Sequence, residues 1–536
     1  MTKRKFKIPG TFTIVFCIVL LAAVSTWIIP GGEFVRSSQV VDGVARDVVV
    51  PGSYHAVDAR WQTWQVFSAF FNGFVRTSNI IVFIFMIGGA FWIFNHTKAI
   101  DVGVQMFLSK MQHLQQKKVF KHVNVNYLVI ASIMLVFSLF GAVFGMSEET
   151  IAFVIIFVPL SISMGYDALV GVAMCYLAAH VGFAGAVFNP FTIGIAQGLA
   201  GLPSFSGFEY RLICWLIFTV SGIAFTLWYA SVIHRNPERS PLYALNDYWR
   251  NHVSEQQVQS VHSEPSSKAA WLLWGILSAI FVVVSFYYTF TNITISHFTL
   301  TCPIVPILTA LFVIVGFFAL RKSVHMFILS LLLFTILALI VGVLGYQWYV
   351  EEIATLFLIM GICAGVAYAC SMDKICSLFL EGCKDIMSAA LIVGLAGGII
   401  VVLQDGRVID TMLYGISRSM QHASNEAALG LMYAFQNVLN LMIPSGSAKA
   451  ALTIPIMSEF ADMLHIARQT MVLAFQFGDG ITNMITPASG VLIGCLGAAK
   501  IPYSLWVKWI WKFVVFLFLL GFALLLPTLY IPLNGF

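Results

Sequence analysis

A fourteen-residue stretch near the start of this chain returns without a gap in its second half. The sequence GGAFWIFNHTKAID, residues 88–101, aligns with GGIIVVLQDGRVID, residues 397–410. The alignment matches the double glycine and the final Ile-Asp, and it pairs Lys98 with Arg407. Such a duplication in a strongly apolar chain predicts a membrane carrier built from two inverted halves, with a substrate site between them.

The composition places the chain in a membrane. Hydrophobic residues make up 59% of the 536 residues, charged residues make up only 10%, and the mean hydropathy is +0.89. These values exclude a soluble globular protein, and the apolar runs are long enough to cross a bilayer. Most of the nine cysteines fall within apolar runs, which favours a packing role over disulfides. Four of them, Cys363, Cys370, Cys376 and Cys383, are spaced more widely than a metal cluster requires, so we predict a small-residue helix face and no metal site.

The order of apolar and polar runs divides the chain into five segments. The first, 1–77, contains a basic start, a retained first helix and a polar stretch where valines flank Asp42-Gly43, the favoured pair of a tight β-hairpin turn. The others are a first inverted repeat at 78–233, a cytoplasmic linker at 234–268, a group of helices at 269–385 and a second inverted repeat at 386–536. We predict an all-α integral membrane fold with about 11 transmembrane helices and two re-entrant hairpins.

The distribution of positive charge indicates an orientation. With the N-terminus and the linker in the cytoplasm, twenty of the twenty-nine Lys and Arg residues fall on the cytoplasmic side. In this topology Lys98 is cytoplasmic and its repeat partner Arg407 is external. The two halves are therefore predicted to be inverted, in a multi-pass protein of the cell (inner) membrane.

Two segments do not fit simple spanning. The apolar run at 151–164 has fourteen residues, about 21 Å of helix, whereas a crossing needs roughly twenty residues. We predict that the chain at 126–166 enters from the cytoplasm, turns at GMSEET (145–150) and returns to the same side. Its counterpart at 425–465 would enter from outside and turn at PSGSAK (444–449).

Each hairpin is followed by an apolar segment that small and polar residues interrupt. The first reads HVGFAGAVFNP at 180–190, and the second reads FGDGITNMITP at 477–487. Such interruptions free backbone groups that hydrocarbon cannot satisfy, so they occur where the chain lines a polar cavity. We predict breaks around Gly185 and Asp479. Helix N-termini there would favour anionic groups, and freed carbonyls would suit Na⁺ or cationic groups.

Several motifs in order carry a family resemblance. They are GAVFGMSEE at 141–149, NPF at 189–191, AQGLAGLP at 196–203, SGSAKAALTIP at 445–455 and LAFQFGDG at 473–480. In these motifs, and over nearly all the chain outside the termini and the linker, the sequence resembles the YfcC-type proteins named as basic amino-acid antiporters. These belong to the anaerobic dicarboxylate-carrier branch of the ion transporter superfamily.

The resemblance implies a scaffold domain and a transport domain, often in a homodimer, with an elevator motion that carries the substrate. It assigns the helices at 269–385 to the scaffold. It also implies that the tips at 147–150 and 445–449, with the two breaks, bind substrate and coupling ion. The chain departs from the family at Lys449, where the family has glutamine. The identity of the substrate therefore cannot be inferred directly from the resemblance.

The charged residues of the proposed cavity give a separate view of the substrate. The net charge of these residues is about −2 when all are ionised, from Glu148, Glu149 and Asp479 against Lys449. A site with this charge would repel a dianion. A cationic amino acid could place its ammonium or guanidinium on the glutamates and its carboxylate on a helix terminus of a tip. The alternative is that Lys449 pairs with Glu148 or Glu149 as a structural lock between the halves.

Other polar residues are weaker candidates. Asp101 and Asp410 are expected to cap interfacial helices. His180 is expected to be a packed, hydrogen-bonded histidine, with proton coupling as the alternative. The full set of predicted substrate- and ion-binding residues is Ser147, Glu148, Glu149, Thr150, Gly185, Asn189, Pro190, Ser445, Gly446, Ser447, Lys449, Asp479, Thr482, Asn483, Thr486 and Pro487.

Among these, the side-chain oxygens of Thr482, Asn483 and Thr486 suit a hard cation, although hydroxyls in a membrane also bond to local carbonyls. The pair Asn189-Pro190 matches Thr486-Pro487 by position, which favours a shared role.

The predicted function is secondary transport: an antiporter of basic amino acids of the arginine and ornithine type, working by alternating access. The alternative is a cation-coupled symporter of dicarboxylates or other small carboxylates, and an ion channel is less favoured because the two tips differ chemically. The chain lacks HExxH, nucleophile-elbow and Walker A motifs, which argues against an enzyme. Expected partners are a small-molecule substrate, the lipid bilayer and a second copy of the chain, with no nucleic acid. No cofactor is expected beyond coupling Na⁺ or H⁺.

Overall fold

The computed structural model describes residues 11–41, 44–50, 52–100, 102, 103, 106, 125–203, 205–243, 264–295, 298–346, 348, 350–420, 423–533 and 535. Its elements up to the linker are α1 (Thr11–Ile28), β1 (Gly32–Glu33), β2 (Arg36–Val41), β3 (Val44–Val49), β4 (His55–Ala56), α2 (Gln65–Arg76), α3 (Ser78–His96), α4 (Val125–Phe144), α5 (Thr150–Ser163), α6 (Ala168–Ala184, with a π-helical segment at Ala173–Leu177), a π-helical turn at Pro190–Gly194, α7 (Ile195–Leu199), α8 (Phe208–Arg235) and a 3₁₀ turn at Pro237–Arg239.

After the linker, the elements are α9 (Lys268–Tyr287), β5 (Thr291–Ile295), β6 (Phe298–Cys302), α10 (Ile304–Lys322), α11 (Val324–Tyr346), α12 (Val350–Ala367), α13 (Met372–Asp405), α14 (Ile409–Met420), α15 (Asn425–Met442), α16 (Gly446–Met463), α17 (Arg468–Asn483), α18 (Gly490–Ala498), α19 (Tyr503–Leu525) and α20 (Pro527–Tyr530). The linker residues 244–263 lie outside the described residues.

Eight helices of the described chain are long and apolar enough to cross a membrane, and α13 makes a ninth if its two arms, which meet at 45°, form one span. The count is lower than the eleven or so predicted from the sequence. The short apolar helices at Phe12–Ile28, Thr150–Ser163 and Ala168–Ala184 fall below the required length. The protein is therefore an integral membrane protein, with eight or nine candidate spans among the described residues.

The polar segment after α1 forms the predicted β-hairpin. Strands β2 and β3 pair antiparallel with Arg36 opposite Val49 and Val41 opposite Val44, although the Asp42-Gly43 turn itself lies outside the described residues. Strands β1 and β4 pair at its base, and β5 and β6 form a third two-stranded sheet that we did not predict from the sequence. The all-α prediction is therefore corrected to a mostly helical fold with small sheets outside the apolar helices.

The two copies of the duplicated sequence end their helices in the same way. Lys98 and Arg407 both have left-handed backbones, with φ of 55° and 57°. Their amides donate to Asn95 O at 2.9 Å and Gln404 O at 3.0 Å. Few non-glycine residues adopt this conformation, so its presence at matched positions supports the duplication at the level of backbone geometry.

Asp410 does not cap a helix, contrary to the expectation from the sequence. It lies in the first turn of α14, where its carboxylate accepts hydrogen bonds from Phe34 N at 2.9 Å and from Arg36 at 2.9 Å. The carboxylate therefore anchors the N-terminal β-hairpin to the second half of the chain. Its repeat partner, Asp101, lies outside the described residues.

The helices pack in two groups. Helix α13 packs against α1, α2 and α3, and α3 also packs against α12. Helices α4, α6, α15 and α17 form the second group, in which α4 pairs with α6 and α15 pairs with α17. Helix α18 lies against α13 of the first group. It also lies against α5, which packs on α6 of the second group, and so α18 joins the two groups.

Candidate functional site

The first predicted turn is a helix–turn–helix. The ring of Phe137 on α4 lies 4.9 Å from that of Phe153 and 5.4 Å from that of Phe157 on α5, so the two arms lie side by side. The chain reverses at 145–149, where Gly145 has a left-handed φ of 69°. A Cβ at Gly145 would lie 2.6 Å from Asn189 Oδ1, so this tip lies directly on the first helix break.

The two glutamates of this tip differ in environment. Glu149 is buried, and its Oε2 accepts a hydrogen bond from Ser147 N at 3.0 Å. Glu148 is half-buried and forms no ion pair with any described residue. Thr150 is buried and donates to Ser147 O at 2.5 Å. The tip therefore holds Glu149 in place, whereas Glu148 makes no ion pair with a described residue.

The second tip has the same construction. Helices α15 and α16 are joined at 443–445, and Gln436 Nε2 donates to Thr453 Oγ1 across the two arms at 3.0 Å. Ser445 O accepts from Lys449 N at 2.8 Å in the first turn of α16, and the side chains of Ser445 and Ser447 are half-buried. The predicted tip residues thus lie at the start of one helix.

Lys449 forms a buried ion pair with Asp479. Lys449 Nζ lies 2.9 Å from Asp479 Oδ1, and both side chains are completely inaccessible to solvent. The ammonium also lies 4.7 Å from the centre of the Phe475 ring. The alternative in which Lys449 pairs with Glu148 or Glu149 is therefore wrong. The tip of α16 packs on α17 of its own half, so the lock lies within one half and not between the two.

An asparagine that we did not predict organises the residues around Asp479. Asn440 Nδ2 lies within hydrogen-bonding distance of Asp479 O (3.1 Å), Thr482 Oγ1 (2.8 Å) and Asn483 Oδ1 (3.0 Å). Asn483 Nδ2 donates in turn to Asp479 Oδ2 at 3.3 Å. A feature of the sequence could have indicated this role: three amide residues, Gln436, Asn437 and Asn440, lie on one arm of an apolar hairpin. All three are buried.

The predicted cation ligands form mostly local hydrogen bonds. Thr482 donates to Gly478 O at 2.5 Å, and Thr486 donates to Leu441 O at 2.8 Å. This is the alternative that the sequence left open, in which hydroxyls within a membrane bond to nearby carbonyls.

The first helix break lies where the sequence predicted it. Helix α6 ends at Ala184, and Gly185 begins an irregular stretch in which the amides of Val187 and Phe188 donate to Ala142 O at 3.0 and 3.1 Å. Asn189 Oδ1 accepts from Phe191 N at 2.9 Å, so Asn189 caps the π turn that begins at Pro190.

A buried arginine supports this break. Arg211, on α8, donates to Val187 O at 3.2 Å, Phe205 O at 3.0 Å and Ser206 O at 2.7 Å. A carbonyl released by a broken helix needs such a donor because the membrane interior supplies none. We did not single out this residue in the sequence, where its signal was a charged residue near the start of an apolar run, two residues after Glu209.

The second break lies beyond the predicted position. Asp479 is inside α17, which continues to Asn483, and the irregular stretch is 484–489. The glycines flanking Asp479 are helical, and they permit close packing: a Cβ at Gly480 would lie 2.4 Å from Ala184 Cα. Pro487 lies within the break, as expected. Thr486 accepts from Ala488 N at 3.3 Å, two residues on, as Asn189 does from Phe191.

Each tip also contacts the restarted helix of the other half. Thr150 Oγ1 of the first tip lies 3.4 Å from Cys495 Sγ on α18. At the second tip, a Cβ at Gly446 would lie 2.6 Å from Thr192 Cγ2 in the π turn and 3.3 Å from Asp479 Oδ2. Both tips and both breaks therefore meet in one buried region.

Tyr176 adds a further connection between the halves. It lies in the π-helical segment of α6, a feature often found at functional sites, and its hydroxyl donates to Asn483 O at 2.7 Å. His180 Nδ1 lies 3.0 Å from Tyr176 O, so His180 is a packed, hydrogen-bonded histidine. Within the described residues, no group of three or more His, Cys, Asp or Glu side chains is arranged to hold a metal ion.

Comparisons with known proteins agree on the class. The sequence profile of the C4-dicarboxylate anaerobic carrier family matches residues 8–530. The chain is 31% identical to the Escherichia coli K12 protein named "Putative basic amino acid antiporter YfcC", over 94% of this chain and 93% of that protein. It is 25% identical to a Haemophilus influenzae protein named "Uncharacterized protein", over 98% and 97% of the two chains.

Among solved structures, the chain is similar to the Alcanivorax borkumensis YdaH transporter, with 13% identity and a TM-score of 0.36 over 98% of this chain and 100% of that one. This likeness is too weak to support an argument. The family profile and the E. coli relative are sufficient, and they confirm the resemblance found in the sequence motifs. The chain is a membrane transporter that belongs to the C4-dicarboxylate anaerobic carrier family.

Proposed function

We propose that this transporter is an antiporter of basic amino acids of the arginine and ornithine type. The observation that carries the proposal is the distribution of charge at the two tips. Lys449 and Asp479 neutralise each other, whereas Glu148 and Glu149 have no cationic partner among the described residues. The site is left with an excess of negative charge, which favours a cationic substrate.

In this proposal the substrate side chain lies on the first tip. Glu148, half-buried and without an ion pair, would accept the guanidinium or ammonium, and Glu149 would add to the negative potential. The amino-acid carboxylate would be received by helix N-termini at the second tip and the breaks. The name of the E. coli relative, "Putative basic amino acid antiporter YfcC", supports the same substrate class.

We propose further that the tips and broken helices move as one unit. The first tip contacts Asn189 at the first break and Cys495 on the helix after the second break, the second tip contacts Thr192 in the π turn after the first break, and α4, α6, α15 and α17 pack together. Such a unit would carry the substrate past α3, α12 and α13 in an elevator motion. The proposal includes two inverted halves and re-entrant tips. A homodimer in the inner membrane, with a cytoplasmic N-terminus, is part of this proposal.

The second candidate is cation-coupled symport of dicarboxylates, which the name of the C4-dicarboxylate anaerobic carrier family favours. Lys449 is a buried cation at the centre of the site and would be the anchor for such a substrate. The Asp479 carboxylate, 2.9 Å from Lys449 Nζ, argues against it because it already satisfies that charge.

A counterflow assay separates these functions. Purified protein in sealed vesicles, loaded with ornithine, arginine or succinate, is given labelled arginine or labelled succinate outside. The proposal expects labelled arginine to accumulate only in vesicles loaded with a basic amino acid. Accumulation of succinate, with no effect of arginine, would establish the dicarboxylate alternative. Current without exchange would indicate a channel.

A further inference from the structure

Equivalent elements of the two halves have different neighbours in this structure. Helices α5 and α18 pack on α3, and α18 also packs on α13. Their counterparts in the order of the duplicated halves are α16 and α7, which pack on strands β3 and β2 of the N-terminal β-hairpin. Inverted halves exchange their environments between the two ends of an alternating-access cycle. The difference is therefore what one end position of the proposed motion requires.

The surface between α18 and the helices α3 and α13 is apolar. A Cβ added at Gly490 would lie 3.1 Å from Val393 Cγ1 and 3.2 Å from Ile80 Cγ2, and one at Gly494 would lie 3.4 Å from Ile84 Cδ1. Aliphatic contacts are not directional, so one such surface can move over another without breaking specific bonds. Polar contacts at the edge of this surface therefore have the greater influence on how firmly α18 is held.

One ion pair joins the end of α18 to α13. Lys500 Nζ lies 2.5 Å from Asp385 Oδ2 and 3.3 Å from Asp385 O, and the two side chains are 29% and 34% exposed. Lys500 has a left-handed backbone with a φ of 57°, and its amide donates to Gly497 O at 3.1 Å. This is a helix cap, so Lys500 is fixed to the end of α18, whereas Asp385 lies within α13.

The other ion pairs between described residues do not connect the tips and broken helices to α13. Two of them lie between α16 and α17, and two attach the N-terminal β-hairpin to Arg407 and Asp410. In the proposed topology, Lys500 and Asp385 lie on the cytoplasmic side, opposite the β-hairpin. A stroke that carries α18 past α13 must separate these two residues.

We propose that the Lys500–Asp385 ion pair is a latch that holds the moving unit against α13 and opens in every transport stroke. The inference rests on the motion put forward under the proposed function, and it applies to either substrate class. A partly exposed ion pair shifts an equilibrium by about fivefold at most. The latch therefore favours the position seen in this structure without preventing the unit from leaving it.

Cross-linking tests whether the two residues separate during transport. The variant Lys500→Cys with Asp385→Cys, in sealed vesicles, is treated with a short, cleavable bifunctional thiol reagent. Counterflow is then measured with labelled arginine, or with labelled succinate if the wild type exchanges that instead. We expect the cross-linked protein to lose exchange and cleavage of the cross-link to restore it. Wild-type protein given the same reagent controls for the native cysteines.

Asp462→Cys with Arg468→Cys is the matched control. This pair also has a 2.5 Å contact between partly exposed side chains, but both residues belong to the moving unit. Its cross-link should leave exchange at the level measured before treatment.

Charge reversal gives a second measurement that needs no cross-link. Lys500→Asp alone places a second carboxylate beside Asp385, and the repulsion should change the maximal exchange rate by about twofold or more. The double variant Lys500→Asp with Asp385→Lys restores the attraction and should return the rate to that of the wild type.

Two results would overturn the inference. Full exchange by the cross-linked Lys500→Cys, Asp385→Cys protein would show that the two residues stay together throughout the cycle. Equal exchange rates in the wild type, the Lys500→Asp variant and the charge-swapped variant would show that the ion pair does not hold the unit.

A disulfide between Gly490→Cys and Val393→Cys, formed by oxidation, separates failure of the latch from failure of the proposed motion. If this disulfide stops exchange and the cross-link at Lys500 and Asp385 does not, the latch alone is wrong. If neither stops exchange, the proposed motion is wrong as well. Exchange of succinate without exchange of arginine would contradict the proposed substrate and leave the latch to be decided by the cross-link.

Discussion

Lys449 Nζ and Asp479 Oδ1 lie 2.9 Å apart with neither side chain accessible to solvent, whereas every other ion pair of the described chain has at least one side chain that is more than a quarter exposed. A buried pair of this kind adds little stability overall, but removing one partner leaves an uncompensated charge in the membrane interior. We therefore expect the loss of either partner to destabilise the packing of α16 on α17.

Asp479→Asn should destabilise the protein by about 3 to 5 kcal/mol, because it leaves the Lys449 ammonium unpaired. The double variant Lys449→Met with Asp479→Leu should recover much of that loss. Thermal unfolding in detergent measures both. Asp385→Asn, at a partly exposed pair with Lys500, is the control, and an Asp479→Asn loss no larger than that of the control would contradict the prediction.

Glu148→Gln and Glu149→Gln should have different effects. Glu148→Gln should lower arginine uptake by about tenfold or more at unchanged melting temperature, because a charged hydrogen bond contributes roughly 1.5 to 3 kcal/mol. Glu149→Gln should lower the melting temperature as well, since Glu149 accepts the Ser147 amide. Uptake and melting curves of the two variants test this, and equal uptake by Glu148→Gln and wild type would remove Glu148 from the substrate site.

Gly446→Ala should impair transport through a steric effect alone. The added Cβ would lie 2.6 Å from Thr192 Cγ2 and 3.3 Å from Asp479 Oδ2, so the second tip must move away from the π turn or the carboxylate. The control is Gly275→Ala on α9, where a Cβ meets nothing within 4 Å. We expect a clear loss of arginine uptake for the first variant and none for the second. Equal uptake by both variants would show that the second tip accommodates the added methyl group, which would contradict the prediction.

Asp410→Asn should loosen the N-terminal β-hairpin. The change weakens the hydrogen bonds to Phe34 N and Arg36, and a buried partner left without its acceptor costs about 1 to 3 kcal/mol. Hydrogen exchange of the amides at 34–41 should accelerate. Asp462→Asn, at an exposed pair with Arg468, should leave those amides unchanged. Protection of 34–41 equal to that of the wild type would mean that Asp410 is not the anchor.

The matched residues Lys98 and Arg407 should lie on opposite sides of the membrane. A reporter enzyme that is active only outside the cytoplasm, fused after Arg407, should be active, and the same reporter fused after Lys98 should be inactive. Activity of both fusions, or of neither, would place the two copies on one side and exclude inverted halves.

The sequence alone determined the features that depend on local composition and order. Apolar run length identified a membrane protein, the short arm at 151–164 predicted a turn, and Gly185 predicted a helix break. The two copies of the duplicated segment also end their helices alike, since both place their basic residue in the left-handed conformation. These features follow from a few neighbouring residues, so the local sequence is sufficient to reveal them.

The tertiary structure alone decided which distant side chains meet. Lys449 binds Asp479 instead of Glu148 or Glu149, and Asp410 binds Arg36, because the packing of α16 on α17 and the position of the N-terminal β-hairpin set those distances. The glycines around Asp479 suggested a break in the sequence, but helix packing uses them for close approach and places the break at 484–489. Side-chain partners depend on how helices cross, and residue spacing along one helix does not contain that information.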